Sequence, residues 1–220
     1  MNVVLFGASG MVGQGVLIEC LEDPGVKRVV SIVRRPTGVT HDKLTEIVHG
    51  DFLDYTAIEP SLRDIDACFF CLGVSSIGMK EEDYRHITYD FTMAAARTLH
   101  RLNPKLAFIY VSGAGTDSTE QGRSMWARVK GKTENDLAKL CDRAYAFRPG
   151  YIHPEKGVAS RTKWIRVAVT VLRPVGFLLK QFPGAGTSTD VLGRAMIAAV
   201  RSGAPSHAVE LREINQLGRA

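Results

Sequence analysis

The sequence predicts an α/β fold: a doubly wound parallel sheet between two layers of helices, a three-layer αβα arrangement. Three observations predict it. Short apolar runs rich in Val, Ile and Phe recur along the chain, at 3–6, 29–33, 67–72 and 107–111, with a weaker run at 144–147. Continuous apolar runs of this length suit parallel strands that are covered on both faces. Amphipathic helical patterns lie between them, at 11–21, 82–102 and 124–140, and this alternation is what parallel crossovers require. Finally, a glycine-rich stretch joins the first strand directly to the first helix.

Taken in order, Asn103-Pro104 closes the long middle helix, because the proline ring disfavours a helical conformation at the residue before it. Pro149-Gly150 ends the fifth apolar run, and the chain is irregular through His153-Pro154. The stretch 164–179 is apolar with basic interruptions and carries Pro174 and Gly176, which predicts a helix that kinks near its end. Pro183-Gly184-Ala185-Gly186 reads as a turn, and 190–201 as a last helix capped by Ser188 or Thr189. At 220 residues the chain is one domain, 1–220, in which 151–190 forms a small C-terminal extension covering the substrate side.

Hydrophobic residues make up 45% and charged residues 23%, a globular composition. The net charge of +5 suits an anionic ligand and does not by itself point to nucleic acid. Between Lys156 and Asp190 there is no acidic residue, while Arg161, Lys163, Arg166, Arg173 and Lys180 are basic. That segment could lie on an anionic membrane, but a cover over a ligand cleft or a subunit contact is the stronger reading of its composition. Cys20, Cys68, Cys71 and Cys141 sit in apolar stretches, as reduced thiols do. Cys68 and Cys71 have redox-motif spacing, but on a strand they point to opposite faces. The six histidines are scattered, so no metal site is expected. The start of the chain has no secretory signal pattern, which sets a cytoplasmic expectation.

The chemistry begins at the stretch from Gly7 to Gly13. In the order Gly7, Ser9, Gly10, Met11, Val12, Gly13 it is a G-x-x-G-x-x-G loop between strand and helix, the Rossmann-type context for binding a dinucleotide pyrophosphate. A carboxylate at the end of the second strand would accept the 2′-hydroxyl of an NAD ribose. This chain has Arg34 and Arg35 there, whose guanidinium groups suit a 2′-phosphate, so NADP(H) is favoured over NAD(H).

With these residues in place the chain resembles the short-chain dehydrogenase/reductase superfamily, and among its atypical, epimerase-like members the Tat-interacting-protein-like group. The resemblance implies that Asp51 and Phe52 contact adenine and that Cys71, Leu72 and Gly73 line the cofactor. It also implies that Ser112 stands where the family has its catalytic Ser or Thr, and that Pro149 and Gly150 lie beside the nicotinamide. The family's chemistry rests on Tyr-x-x-x-Lys on one helix face. Here the stretch is Trp126-Ala127-Arg128-Val129-Lys130, which keeps the ribose-holding lysine and replaces the tyrosine. An indole N–H donates a hydrogen bond but does not ionise near neutral pH, so Trp126 cannot serve as the general acid.

Two functions follow from this pattern. One is an NADP(H)-dependent oxidoreductase or epimerase-like enzyme acting on a small carbonyl or alcohol, with Tyr84, Tyr151 or His153 as a substitute acid. The other is a non-catalytic NADP(H)-sensing or protein-interaction module. Relatives of this fold dimerise through their long helices, which leaves a homodimer open beside a monomer.

Overall fold

The computed structural model describes residues 1–158 and 186–219. The strands are β1 (Asn2–Phe6), β2 (Arg28–Val33), β3 (Leu44–Val48), β4 (Ala67–Phe70), β5 (Ala107–Val111), β6 (Ala144–Arg148), β7 (Tyr151–His153), β8 (Gly186–Ser188) and β9 (Ala208–Glu210). The helices are α1 (Met11–Glu22), α2 (Glu81–Arg85), α3 (Phe91–Leu102), α4 (Met125–Leu140), α5 (Thr189–Ser202) and α6 (Leu211–Leu217).

Seven strands form one sheet in the order β3-β2-β1-β4-β5-β6-β9, and every recorded pairing in it is parallel. The order reverses between β1 and β4, which opens the crevice where doubly wound sheets take their ligands. Alternate residues enter opposite cores, as strand geometry demands. Val3, Leu5, Val29, Phe69, Ile109 and Phe147 pack towards α1 and α5, while Val4, Phe6, Val30, Phe70, Phe108 and Tyr110 pack towards α3 and α4. Cys68 and Cys71 divide the same way, and all four cysteines are free thiols.

Among the described residues the expected helices form, with one difference. The pattern at 82–102 is α2 and α3 joined by a π-helical turn, His86–Asp90. The fourth strand stops at Phe70, two residues early; the Cys71 N–H still donates to the Phe6 carbonyl at 3.0 Å, and the backbone of Cys71 and Leu72 passes over the glycine loop. Ser188 occupies the cap of α5 in extended conformation. Beyond the expected elements, β9 and α6 close the sheet next to β6, and β7 pairs with β8 as a separate two-stranded ribbon. The helix expected at 164–179 and the basic segment 161–180 lie outside the described residues, as does most of the expected cover at 151–190.

Candidate functional site

The crevice is built first by glycines. Gly7 has φ +83°, and a Cβ there would lie 2.7 Å from the backbone of Cys71 and Leu72, so the end of β4 rests directly on the loop. A Cβ on Gly13 would come within 2.1 Å of the Gly7 carbonyl oxygen, which makes this position the contact between helix and strand. Gly10 differs: its nearest neighbour would be 3.4 Å away, so its outer side is open to a ligand. Gly10 is also the cap of α1, in extended conformation, with no side chain capping the helix and no acidic residue in the first turn. The N–H groups of the first turn, from Met11 through Val12, are therefore offered to an anion together with the positive end of the helix dipole. Ser9 carries its carbonyl against the Gln14 side chain at 3.4 Å. This cradle fits a pyrophosphate.

At the end of β2, Arg34 and Arg35 are exposed and form no ion pair among the described residues. The nearby carboxylate of Glu46 is occupied, accepting from the Thr37 N–H at 3.0 Å and its hydroxyl at 2.6 Å. The end of β2 thus presents two cations with no acidic residue competing for them. Asp51 is exposed, and one of its oxygens accepts the Leu53 N–H at 2.9 Å. Phe52 is placed differently from the expectation. It is 4% exposed and stacks on Phe91 with centroids 5.6 Å apart, so its ring belongs to the core and only its backbone borders the crevice. Leu72 is half-buried and Gly73 exposed, and the loop that follows displays Val74 and Ile77 to solvent.

On the far side of the crevice, Lys130 projects from α4 towards the end of β5. Its Nζ donates to the Tyr110 hydroxyl at 3.1 Å and reaches the Val111 carbonyl at 3.4 Å. Burial lowers its pKa to about 8, with the Glu134 charge working in the opposite direction. Trp126, one turn earlier, lies over the loop after β5: Cβ atoms on Gly113 and Gly115 would be 3.8 and 3.7 Å from its indole. Pro149 accepts the Ala114 N–H at 3.1 Å, which holds that loop against the Pro149-Gly150 turn.

Ser112 does not point where the resemblance implies. It is 8% exposed, its hydroxyl donates to Glu134 Oε1, and it lies 3.1 Å from Thr116 Oγ1. The proton that would polarise a substrate carbonyl is committed to a buried carboxylate one helical turn below Lys130. Among the substitute acids, Tyr84 is 2% exposed and burial raises its pKa. His153 lies 3.8 Å from Glu155. Tyr151 opens β7 directly after Gly150, and its hydroxyl is buried without a hydrogen-bond partner among the described residues.

Sequence reasoning missed two parts of this site. One is Tyr110, the floor under Lys130. The other is Glu134 with Arg148; the spacing of four residues from Lys130 was the available signal.

Residues 7–146 match the model of a family described as NAD(P)H-binding. Over 207 residues the chain is 28% identical to a protein of Emericella nidulans named "Protein fmp52, mitochondrial", covering 90% of this chain and 86% of the relative. Among solved structures, the Bordetella bronchiseptica enzyme WbmF in complex with NAD+ superposes with a TM-score of 0.68 at 18% identity, over 99% of this chain and 76% of that one. A short-chain dehydrogenase/reductase family oxidoreductase from Burkholderia thailandensis gives 0.68 at 14% identity, over 100% and 93%. The structural likenesses show the fold, with its short-chain dehydrogenase/reductase and epimerase relatives. The cytoplasmic expectation is overturned: fungal relatives carry the mitochondrial name. A missing secretory pattern speaks only to secretion, so it never distinguished these compartments.

Proposed function

The chain belongs to the NAD(P)H-binding family with the fold of the atypical short-chain dehydrogenase/reductases, and from that premise we propose that it binds NADP(H) without the phenol-driven turnover of its superfamily. The observation that carries this reading is the state of the three catalytic positions. Trp126 has no proton that ionises near neutral pH, the Ser112 hydroxyl is spent on Glu134, and Lys130, bonded to the Tyr110 hydroxyl, is the one position that keeps the family's residue with its charge.

In this reading the first turn of α1 and the loop at Gly7, Ser9, Gly10 and Gly13 bind the pyrophosphate. Arg34, with Arg35 beside it, takes the 2′-phosphate through charge-assisted bonds. Asp51 meets the adenine amino group, Leu72 and Gly73 line the cofactor with Cys71 behind them, and Lys130 holds the nicotinamide ribose. When bound, the dinucleotide supplies or accepts a hydride; the chain's own residues orient it and shield one face with the Pro149-Gly150 turn. The names of the fungal relatives support a mitochondrial location.

The Tyr151 hydroxyl, buried and without a partner among the described residues, favours a second reading, an oxidoreductase or epimerase-like enzyme on a small carbonyl or alcohol with Tyr151 as proton donor. NADPH oxidation over a panel of aldehydes and ketones separates the two. The binding reading expects the wild type to remain at background and Trp126→Tyr, which restores a phenol one turn from Lys130, to gain turnover. Wild-type turnover abolished by Tyr151→Phe would replace it with the enzyme reading.

A further inference from the structure

Below Lys130 lies a buried polar cluster that the cofactor reading leaves unused. Glu134 is 7% exposed, between α4 and the ends of β5 and β6. A carboxylate shut away from water persists as an anion only when it is paired and hydrogen-bonded. Arg148 Nε donates to both of its oxygens at 3.1 Å, Arg148 Nη2 adds a third bond, and the Ser112 hydroxyl donates to Oε1. The same guanidinium reaches Glu210 Oε1 at 3.0 Å and Ser118 Oγ at 2.6 Å. One carboxylate on α4 is thereby tied to β5 and β6 and, through Arg148, to the start of α6 and the loop that Trp126 covers.

We propose that Glu134 is the positioning residue of this site: clamped by Arg148 and Ser112, it fixes the turn of α4 that carries Lys130 to the nicotinamide ribose. The inference rests on the cofactor reading above. Residues four apart share a helix face, so a shift of Glu134 along β5 moves Lys130 with it. It also explains why Ser112 is turned inward: its hydroxyl serves the clamp.

Glu134 also acts on Lys130 through charge. The groups facing the ammonium are the Tyr110 hydroxyl and Val111 carbonyl from β5, with the Tyr84 phenol of α2 behind Tyr110; within α4 it is Glu134, whose carboxylate is paired with Arg148 of β6. Burial pulls the Lys130 pKa down and Glu134 holds it up. The two clamp residues carry opposite charges, so by Coulomb's law removing each should move the lysine in opposite directions.

The test uses the full chain, labelled with ¹³C at lysine Cε, titrated without cofactor, with the Lys130 resonance assigned by Lys130→Arg. Glu134→Gln should lower the Lys130 midpoint, and Arg148→Met, which leaves the carboxylate unclamped, should raise it. Both should weaken NADPH binding about fivefold, the loss expected when a charged hydrogen bond is misaligned. A midpoint that stays put in either variant, or moves the same way in both, overturns the proposal, and if one variant fails to fold the other decides it alone. Wild-type protein that binds no NADPH would instead sink the cofactor reading, and the cofactor-free titration would still decide on Glu134.

Discussion

Adding one methyl group at Gly13 tests how the crevice is built. The alanine Cβ would sit 2.1 Å from the Gly7 carbonyl oxygen, 2.5 Å from its carbon and 2.9 Å from the Ala8 nitrogen. All three are backbone atoms, so no rotamer change relieves the contact. Reaching an ordinary carbon–oxygen separation of about 3.3 Å requires α1 and the loop to part by roughly 1 Å. Overpacking of this kind costs about 3 kcal/mol at its upper end, and the gain in helix propensity on replacing glycine returns about 1 kcal/mol. The net loss of about 2 kcal/mol corresponds to a fall of roughly 4–8 °C in Tm for a chain of this size. Gly10→Ala is the matched control. Its Cβ meets nothing closer than 3.4 Å, and its extended backbone accepts alanine, so it should melt within a few degrees of wild type. Because that methyl points at the space assigned to the pyrophosphate, NADPH affinity should fall about tenfold or more. Differential scanning fluorimetry and calorimetric titration on the two variants read both quantities. Gly13→Ala protein with wild-type melting and binding would refute this account of the loop.

Two further outcomes follow from the packing. Partial burial works against the charge of Asp136, but bonds from Lys132 at 2.8 Å, Tyr89 at 2.7 Å and Lys139 at 3.1 Å outweigh that and hold its pKa at about 2. A carboxyl depressed in the folded state stabilises fully above its unfolded pKa near 4 and loses that contribution as pH falls towards 2. It is worth on the order of 1–2 kcal/mol, so Asp136→Asn should flatten the stability profile between those limits in urea melts. Burial pushes the Cys68 and Cys20 thiols well above the ordinary range, so both should resist thiol reagents until the protein unfolds. Rapid native-state labelling of either would contradict their place in the core.

Much of this architecture is legible in the residues because burial on both faces demands unbroken apolar runs. β1, β2, β4 and β5 show such runs, and the glycine loop follows β1 without a gap. The edge strand β3, Leu44–Val48, is only half-buried and mixes Thr and Glu among its apolar residues, so no unbroken apolar run marks it in the sequence. β9 spans three residues, too few for any periodicity. Residue types at the site were readable, but directions were not. Whether Ser112 faces substrate or Glu134 depends on a carboxylate 22 positions away, and Phe52 turns inward because Phe91 and Phe6 offer it a partner.

The central claim is a nucleotide site selective for the 2′-phosphate, and the most direct measurement is calorimetric titration of the full chain with NADPH and, separately, NADH. The account predicts saturable one-to-one binding of NADPH, weaker binding of NADH, and loss of the difference in Arg34→Glu. Equal affinity for both nucleotides would contradict the role given to Arg34, and no binding of either would contradict the site itself.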